Sequence, residues 1–429
     1  MAKRVVLGCE LNNSFLQIVY APEGGRPAAL NMPSSKETLV LPLVIARSDA
    51  GTWCYGDEAL KLTGEKGRAA ERLYENRGGS IRIDKDVYTY DELLNLVISH
   101  GVRLALQSIE QALGEDADIR VMAVSCEPFP SDVKTFHDRC FKGLPVGQVV
   151  LQGHEESLFS YLIHQPEKLL GYVTGVYDLT CEKMTAYCME LNPRTSPVVV
   201  SISRDDDTGI VVKKHYPSIV EHDRALDEMD KKLAEYTGEF TGGRIVTSLY
   251  LLGDSFKKDW YKSAKQVMCR NRKVYAGNNL FSKGAAFSAA AVIWPGTEKE
   301  DFLYLGRDML SSNIGLQVID QGQEAYMPLL DAGTAWYDAQ AETEIIMEVP
   351  DEIVLLVQPV DGSGSYEEHI RIGIEEERSG RAFRFNMKLR MTGPDLLEVT
   401  VKDEGFGSIY PAGYPDIVEE IKLGQDKDR

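Results

Sequence analysis

Two short segments of this chain end an apolar run in a carboxylate and then turn: Gly8-Cys9-Glu10-Leu11-Asn12-Asn13-Ser14 and Val176-Tyr177-Asp178-Leu179-Thr180-Cys181-Glu182-Lys183. Paired segments of this kind make a phosphate clamp. Backbone N–H groups of the turns receive phosphate oxygens, and the two carboxylates hold a hydrated Mg²⁺. Glu10 and Asp178 are the candidate Mg²⁺ carboxylates, acting through water. Asn12 and Asn13 tolerate a left-handed turn, so the first hairpin is expected to fold around an anion. The second turn is less suited: β-branched Thr180 resists φ > 0, and Glu182 sets a carboxylate near the phosphate position. Like charges about 4–5 Å apart cost on the order of 1–4 kcal/mol at effective dielectrics of roughly 80 to 20. Lys183 offsets part of this. The plainer reading of Glu10 and Asp178 is that each caps a hairpin in a polar cleft.

The elements that position these residues repeat. After the first hairpin come strands at 15–20 and 38–46, a Gly51 turn and a short strand through Trp53 and Tyr55. Residues 91–113 carry apolar side chains at helical spacing, with Asp91 as N-cap and Gly114 as the stop. Strand 119–126, helix 131–141, strand 148–151 and helix 155–163 complete the first half. The second half runs strands 173–179, 185–191, 198–203 and 210–214, helix 220–236, strand 248–252 and helices 257–270 and 279–291. Such a duplication predicts two similar lobes around a cleft, bounded near Trp294-Pro295-Gly296. Beyond 297–301 the pattern changes to short strands, at 343–349, 353–358, 369–374, 383–391 and 396–402, with turns at Gly362, Gly364 and Gly393-Pro394. Residues 416–429 are expected to be a short charged helix or tail.

At 429 residues and 43% hydrophobic, the chain has enough apolar material for two or three folded domains. Its seven cysteines form no C-x-x-C pair, so neither a disulfide framework nor a zinc cage is indicated, and a cytoplasmic location fits. Cys181 and Cys188 are expected to be ordinary buried thiols. No stretch reaches the roughly 18 apolar residues of a membrane span. Of the net charge of −19, residues 297–429 hold 28 acidic and 12 basic residues, leaving −3 for the rest. That field disfavours nucleic acid and anionic lipid and favours basic protein or peptide partners. His137, His154 and His164 have no spacing that builds a zinc site or a nucleophile relay.

In order along most of the chain, six places resemble the actin-like ATPases, and within them the DnaK-type seventy-kilodalton heat-shock chaperones. The first hairpin lies where that family has a Gly-x-Asp-Leu-Gly-Thr-Thr loop. Leu41-Pro42-Leu43-Val44-Ile45 with Tyr55-Gly56-Asp57-Glu58-Ala59 is similar to a Pro-Ser strand followed by Val-Gly-x-x-Ala. Gly153-His154-Glu155-Glu156-Ser157 resembles the Asn-Glu-Pro-Thr start of the interlobe helix, and Asp178 begins the second phosphate loop. Leu251-Leu252-Gly253-Asp254-Ser255 looks like the adenosine turn, and Ser282-Lys283-Gly284-Ala285-Ala286 resembles the Ala-x-Gly-Ala-Ala closing helix.

The resemblance implies an α/β chain with a duplicated actin-like (ribonuclease H-like) ATPase fold over 1–296, with lobes of about 1–170 and 171–296. A linker at 297–311 containing Phe302-Leu303-Tyr304-Leu305, a β-sandwich at 312–415 and a charged tail would follow. It implies ATP or ADP with Mg²⁺ at Asn12, Asn13, Ser14, Lys183, Gly253, Ser255 and Lys257, the last where the family stacks an Arg on adenine. Three glycines of the second phosphate loop are replaced here by Thr180, Cys181 and Glu182, and Asp254 replaces another at the adenosine turn. The lobe insertion that covers adenine is much reduced, and no helical lid follows the sandwich. The expected function is a chaperone-like pseudo-ATPase or weak nucleotide binder with a protein-binding sandwich. A slow Mg-ATP-hydrolysing chaperone and an actin-like scaffold are the alternatives. Aromatic residues Trp336-Tyr337, Tyr410 and Tyr414 either line a binding surface or pack in the sandwich.

Overall fold

A computed structural model describes residues 2–32, 37–64, 67–166, 169–213, 219–294, 296, 301–306, 308–320, 322–347, 351–360, 364–373, 383–408 and 411–424. The chain is of the α/β class and divides into two compact units. Met1–Asn192 with Ile202–Asp301 forms one, and Pro193–Ser201 with Phe302–Arg429 forms the other.

The first unit holds two sheets of like construction. In the first, the hairpin Lys3–Asn12 and Phe15–Pro22 is antiparallel, and Ala117–Glu127 and then Gln148–Gly153 extend it in parallel on the other side. In the second, the hairpin Val173–Asp178 and Thr185–Asn192 is antiparallel, and Val246–Leu252 and then Lys273–Gly277 extend it in parallel. The strand Val198–Asp205, whose residues 202–205 belong to this unit, follows Thr185–Asn192.

Strand alternation sets what each face does. Val5, Leu7, Cys9 and Leu11 enter the main core with Leu93, Leu94, Val97 and Val102 of the helix Tyr90–Leu113. Val6 and Gly8 point the other way, beneath the helix Leu280–Ile293, and Glu10 continues that face. A Cβ on Gly8 would lie 2.0 Å from the Ser282 carbonyl oxygen, and one on Gly284 would lie 1.8 Å from that of Ser157. These two glycines let Leu280–Ile293 press against the sheet on one side and the helix His154–Ile163 on the other.

The helix Tyr90–Leu113 starts at Thr89, not at the expected Asp91. Thr89 Oγ1 accepts from the Glu92 N–H, and Glu92 Oε2 accepts from the Thr89 N–H at 2.8 Å, a reciprocal capping box. Asp91 is buried and bonds Arg139 at 3.1 Å. Gly114 ends the helix at φ 70°, as expected.

The second unit holds two antiparallel four-stranded sheets. One runs Gln323–Leu330, Ser312–Asp320, Glu352–Pro359, Tyr366–Arg371, and the other Gln340–Met347, Phe383–Gly393, Leu396–Asp403, Ile417–Lys422. Ile314, Leu316, Leu355 and Val357 share one core with Phe383, Phe385, Met387 and Val399. On the second sheet the exposed positions carry ion pairs across strands, Lys388–Glu342 at 3.2 Å and Arg390–Glu398 at 2.9 Å among them.

Several expectations change. Ile417–Lys422 is a strand paired with Leu396–Asp403, so residues 416–424 extend the second unit rather than forming a helix or tail. Phe302–Leu305, within the expected linker, is a strand parallel to the first half of Val198–Asp205. The expected strand at 38–46 is two, Val40–Pro42 and Ile45–Arg47. The helix at 257–270 shrinks to Lys262–Met268 after a 3₁₀ turn at Asp254–Lys257. In place of a strand at 210–214, the described residues there hold an isolated bridge between Lys183 and Val211. Lys214, Pro295, Arg307, Gly362, Ile374, Tyr410, residues 297–300 of the expected link and 425–429 of the expected tail lie outside the described residues.

Candidate functional site

Glu10 and Asp178 occupy equivalent places, each at the end of the first strand of a hairpin. Glu10 pairs across its hairpin with Gln17, and Asp178 with Thr185. Burial, and next the charge of Asp178, push the Glu10 carboxyl up to about 8 despite a hydrogen bond from Asn12 Nδ2 at 3.1 Å. Asp178 is also raised, by burial first and further by Glu127; Thr180 and Arg204 pull it down.

Three N–H groups of the turns bond back to side chains of the turns themselves. Asn12 Oδ1 accepts from the N–H of Ser14 at 2.9 Å and of Phe15 at 3.1 Å. Asp178 Oδ1 accepts from the Thr180 N–H at 2.9 Å and also from the Thr180 hydroxyl. Each turn is thus an Asx turn in which a side-chain oxygen takes up backbone donors of the same turn. Neither Asn12 nor Asn13 takes the left-handed conformation that Asn tolerates; Asn12 builds the turn with its side chain. Asn13 and Ser14 are exposed.

A cleft of about 400 Å³ is lined by Glu10, Gln17, Thr180, Gly253, Asp254 and Ser255, with Phe15, Trp260 and Phe281 among its apolar walls. Gly253 has φ 102°, and a Cβ there would lie 2.3 Å from the Leu179 carbonyl oxygen, so the turn is packed directly on the second hairpin. The remaining candidates stand apart from the lining. Lys183 pairs with Asp207 at 3.2 Å and not with Glu182, and Lys257 pairs with Asp254 at 2.8 Å. Cys188 is buried, as expected, but Cys181 is exposed.

Three residues near Glu10 and Asp178 were not singled out from the sequence as site residues. Arg204 Nη1 lies 2.6 Å from Glu127 Oε2, and its Nε donates to both oxygens of Asp206 at 2.9 Å. Gln17 is buried against the cleft opposite Glu10. His154 stacks on Phe281 with ring centroids 3.7 Å apart, and burial, then Arg204, lower its pKa to about 3. One signal was present: Val200, Ile202 and Arg204 share one phase of an alternating strand, which places a cation on its buried side.

This is an α/β chain with two hairpin carboxylates, Glu10 buried and Asp178 partly buried, each beside an Asx turn. It belongs to the family of unknown function DUF5716, whose C-terminal model matches residues 26–307. A domain of unknown function, DUF8552, matches residues 309–423. No curated protein matches the chain. Among the described residues, no helix is long and apolar enough to cross a membrane.

Proposed function

We propose that the chain is a divergent actin-like protein of the DnaK-related kind, two lobes and a C-terminal β-sandwich, whose nucleotide clamp has closed on itself. It then acts as a pseudo-ATPase scaffold, with the sandwich engaging protein or peptide. The like construction of the two sheets in the first unit supports the duplicated lobes, and the shared core of the two four-stranded sheets supports the sandwich.

The observation that carries the loss of chemistry is the occupation of the turn donors. Phosphate recognition by such a clamp needs backbone N–H groups free to point at phosphate oxygens. Here the N–H groups of Ser14, Phe15 and Thr180 are bonded to Asn12 and Asp178. A triphosphate would have to break these bonds while bringing its charge beside Asp254.

Isothermal titration with Mg²⁺-ATP decides the matter, with no heat of binding expected at nucleotide concentrations of about 1 mM. Micromolar binding with turnover overturns the proposal. It would favour a second reading, a slow ATPase, for which the cleft lined by Glu10, Thr180 and Gly253 speaks. In that case Asp178→Ala abolishes turnover.

A further inference from the structure

Glu10 and Gln17 stand side by side on the antiparallel hairpin, 3% and 5% exposed, and both line the cleft of about 400 Å³. Cross-strand neighbours on one face hold their side chains about 5 Å apart, so one small group touches both tips. Among the described residues Glu10 has no ion-pair partner, and its one hydrogen bond runs from Asn12 Nδ2 to Oε1 at 3.1 Å, leaving Oε2 unclaimed. The buried side-chain amide of Gln17 has no hydrogen-bond partner among them.

We propose that this cleft binds a small organic cation with a flat head, an amidinium or guanidinium on an apolar body, held by Glu10 and Gln17. The ligand carries no phosphate, so the proposal goes beyond the closed-clamp reading.

Charge is the first argument. A carboxylate drawn out of water calls for a positive partner, and the described residues supply none to Glu10. In the empty cleft a proton fills that role up to about pH 8, kept there by burial and then by the charge of Asp178. A cation that docks on Glu10 expels this proton to solvent. The remaining charged or titratable groups of the lining are Asp254, Lys213, Lys258 and His222. Asp254 is engaged by Lys257 at 2.8 Å and by Asn278 at 2.9 Å, Lys213 and Lys258 are exposed, and His222 is half-buried. Of these lining groups Glu10 alone is buried.

Shape is the second argument. A planar fork gives one N–H to Glu10 Oε2 and another to the Gln17 amide oxygen, a match that a compact ammonium makes less well. Phe15, Trp260 and Phe281 among the walls suit an apolar body and the face of a planar cation. Two of these rings are fixed from behind. Phe281 stacks on His154 with centroids 3.7 Å apart, and Trp260 Nε1 donates to the Ser255 carbonyl at 2.9 Å. The cleft volume is that of a site for one small molecule.

Isothermal titration of the full chain at pH 8.5 with benzamidine, and with benzamide as its uncharged counterpart, is the test. Benzamidine is expected to bind with a Kd below about 1 mM, and benzamide at least about tenfold more weakly. Glu10→Gln keeps the size and removes the charge; it should cost benzamidine at least about tenfold and leave benzamide within about threefold. Gln17→Leu should weaken benzamidine by about three- to tenfold. At pH 7, titrations in buffers of different ionisation heat should show nearly one proton released per benzamidine bound by the wild type and none by Glu10→Gln.

A benzamidine Kd above about 10 mM, or benzamide bound as tightly as benzamidine, overturns the proposal. So does equal benzamidine affinity in wild type and Glu10→Gln, which would assign binding to the acidic surface of the chain. If that variant does not fold, the benzamide contrast and the proton count on the wild type decide, and a wild type that releases no proton overturns the proposal. No nucleotide is present in these titrations, so ATP binding in a separate one would defeat the closed-clamp reading on its own.

Discussion

Glu10 and Gln17 face each other across the first hairpin, and both are buried. Free Glu10 ionises near 4.5, whereas in the folded chain it does so near about 8. Between those values the folded chain keeps a proton that the unfolded chain gives up, so unfolding becomes easier as pH rises. This group's full contribution is present below about 4.5 and has been lost above about 8. Urea unfolding should therefore report a loss on the order of 3 kcal/mol between pH 5 and pH 8.5, and Glu10→Gln should remove most of that slope. An unchanged slope in the variant would assign the pH dependence to another group. The carboxylate's position was legible from the strand end and the turn after it. Its protonation was not, because the burial that raises it and the neighbouring Asp178 arrive from segments far along the chain.

At the scale of elements, the two glycines beneath and beside the helix Leu280–Ile293 set how close it can come. Gly284→Ala would drive a Cβ to 1.8 Å from the Ser157 carbonyl oxygen, and backbone cannot step aside as a flexible side chain can. A destabilisation of about 3 kcal/mol or more is expected in chemical denaturation; a cost under about 1 kcal/mol would mean that the helix pair separates freely. Elements with strong local signals were readable: residues 91–113 carry helical spacing and end in a glycine. Those defined by distant pairing were not. Ile417–Lys422 resembled a charged helix because Glu419-Glu420 masks its alternation, and it becomes a strand only beside Leu396–Asp403. Lys273–Gly277 was missed for the same reason, being an edge strand with mostly exposed side chains. At the site, the hairpins were legible, but the closure of their turns was not. A side-chain oxygen turning back on N–H groups two or three residues ahead competes with any ligand, and residue identity alone does not tell which wins.

For the whole molecule, charge is the property that separates the ends of the chain: −16 falls within 297–429. A Lys- and Arg-rich peptide is expected to bind with an affinity that falls as salt rises. Equal binding of an acidic peptide, or an affinity indifferent to salt, would contradict this. The parallel pairing of residues 198–201 with Phe302–Leu305 carries a consequence for synthesis. The second unit draws one strand from chain that leaves the ribosome before Ile202–Asp301 is made, so that strand must wait through about a hundred residues before its partner exists. Its order of assembly is therefore not the order of its sequence. An expression fragment beginning at Phe302 would emerge with an unpaired edge already in place, open to whatever strand arrives first.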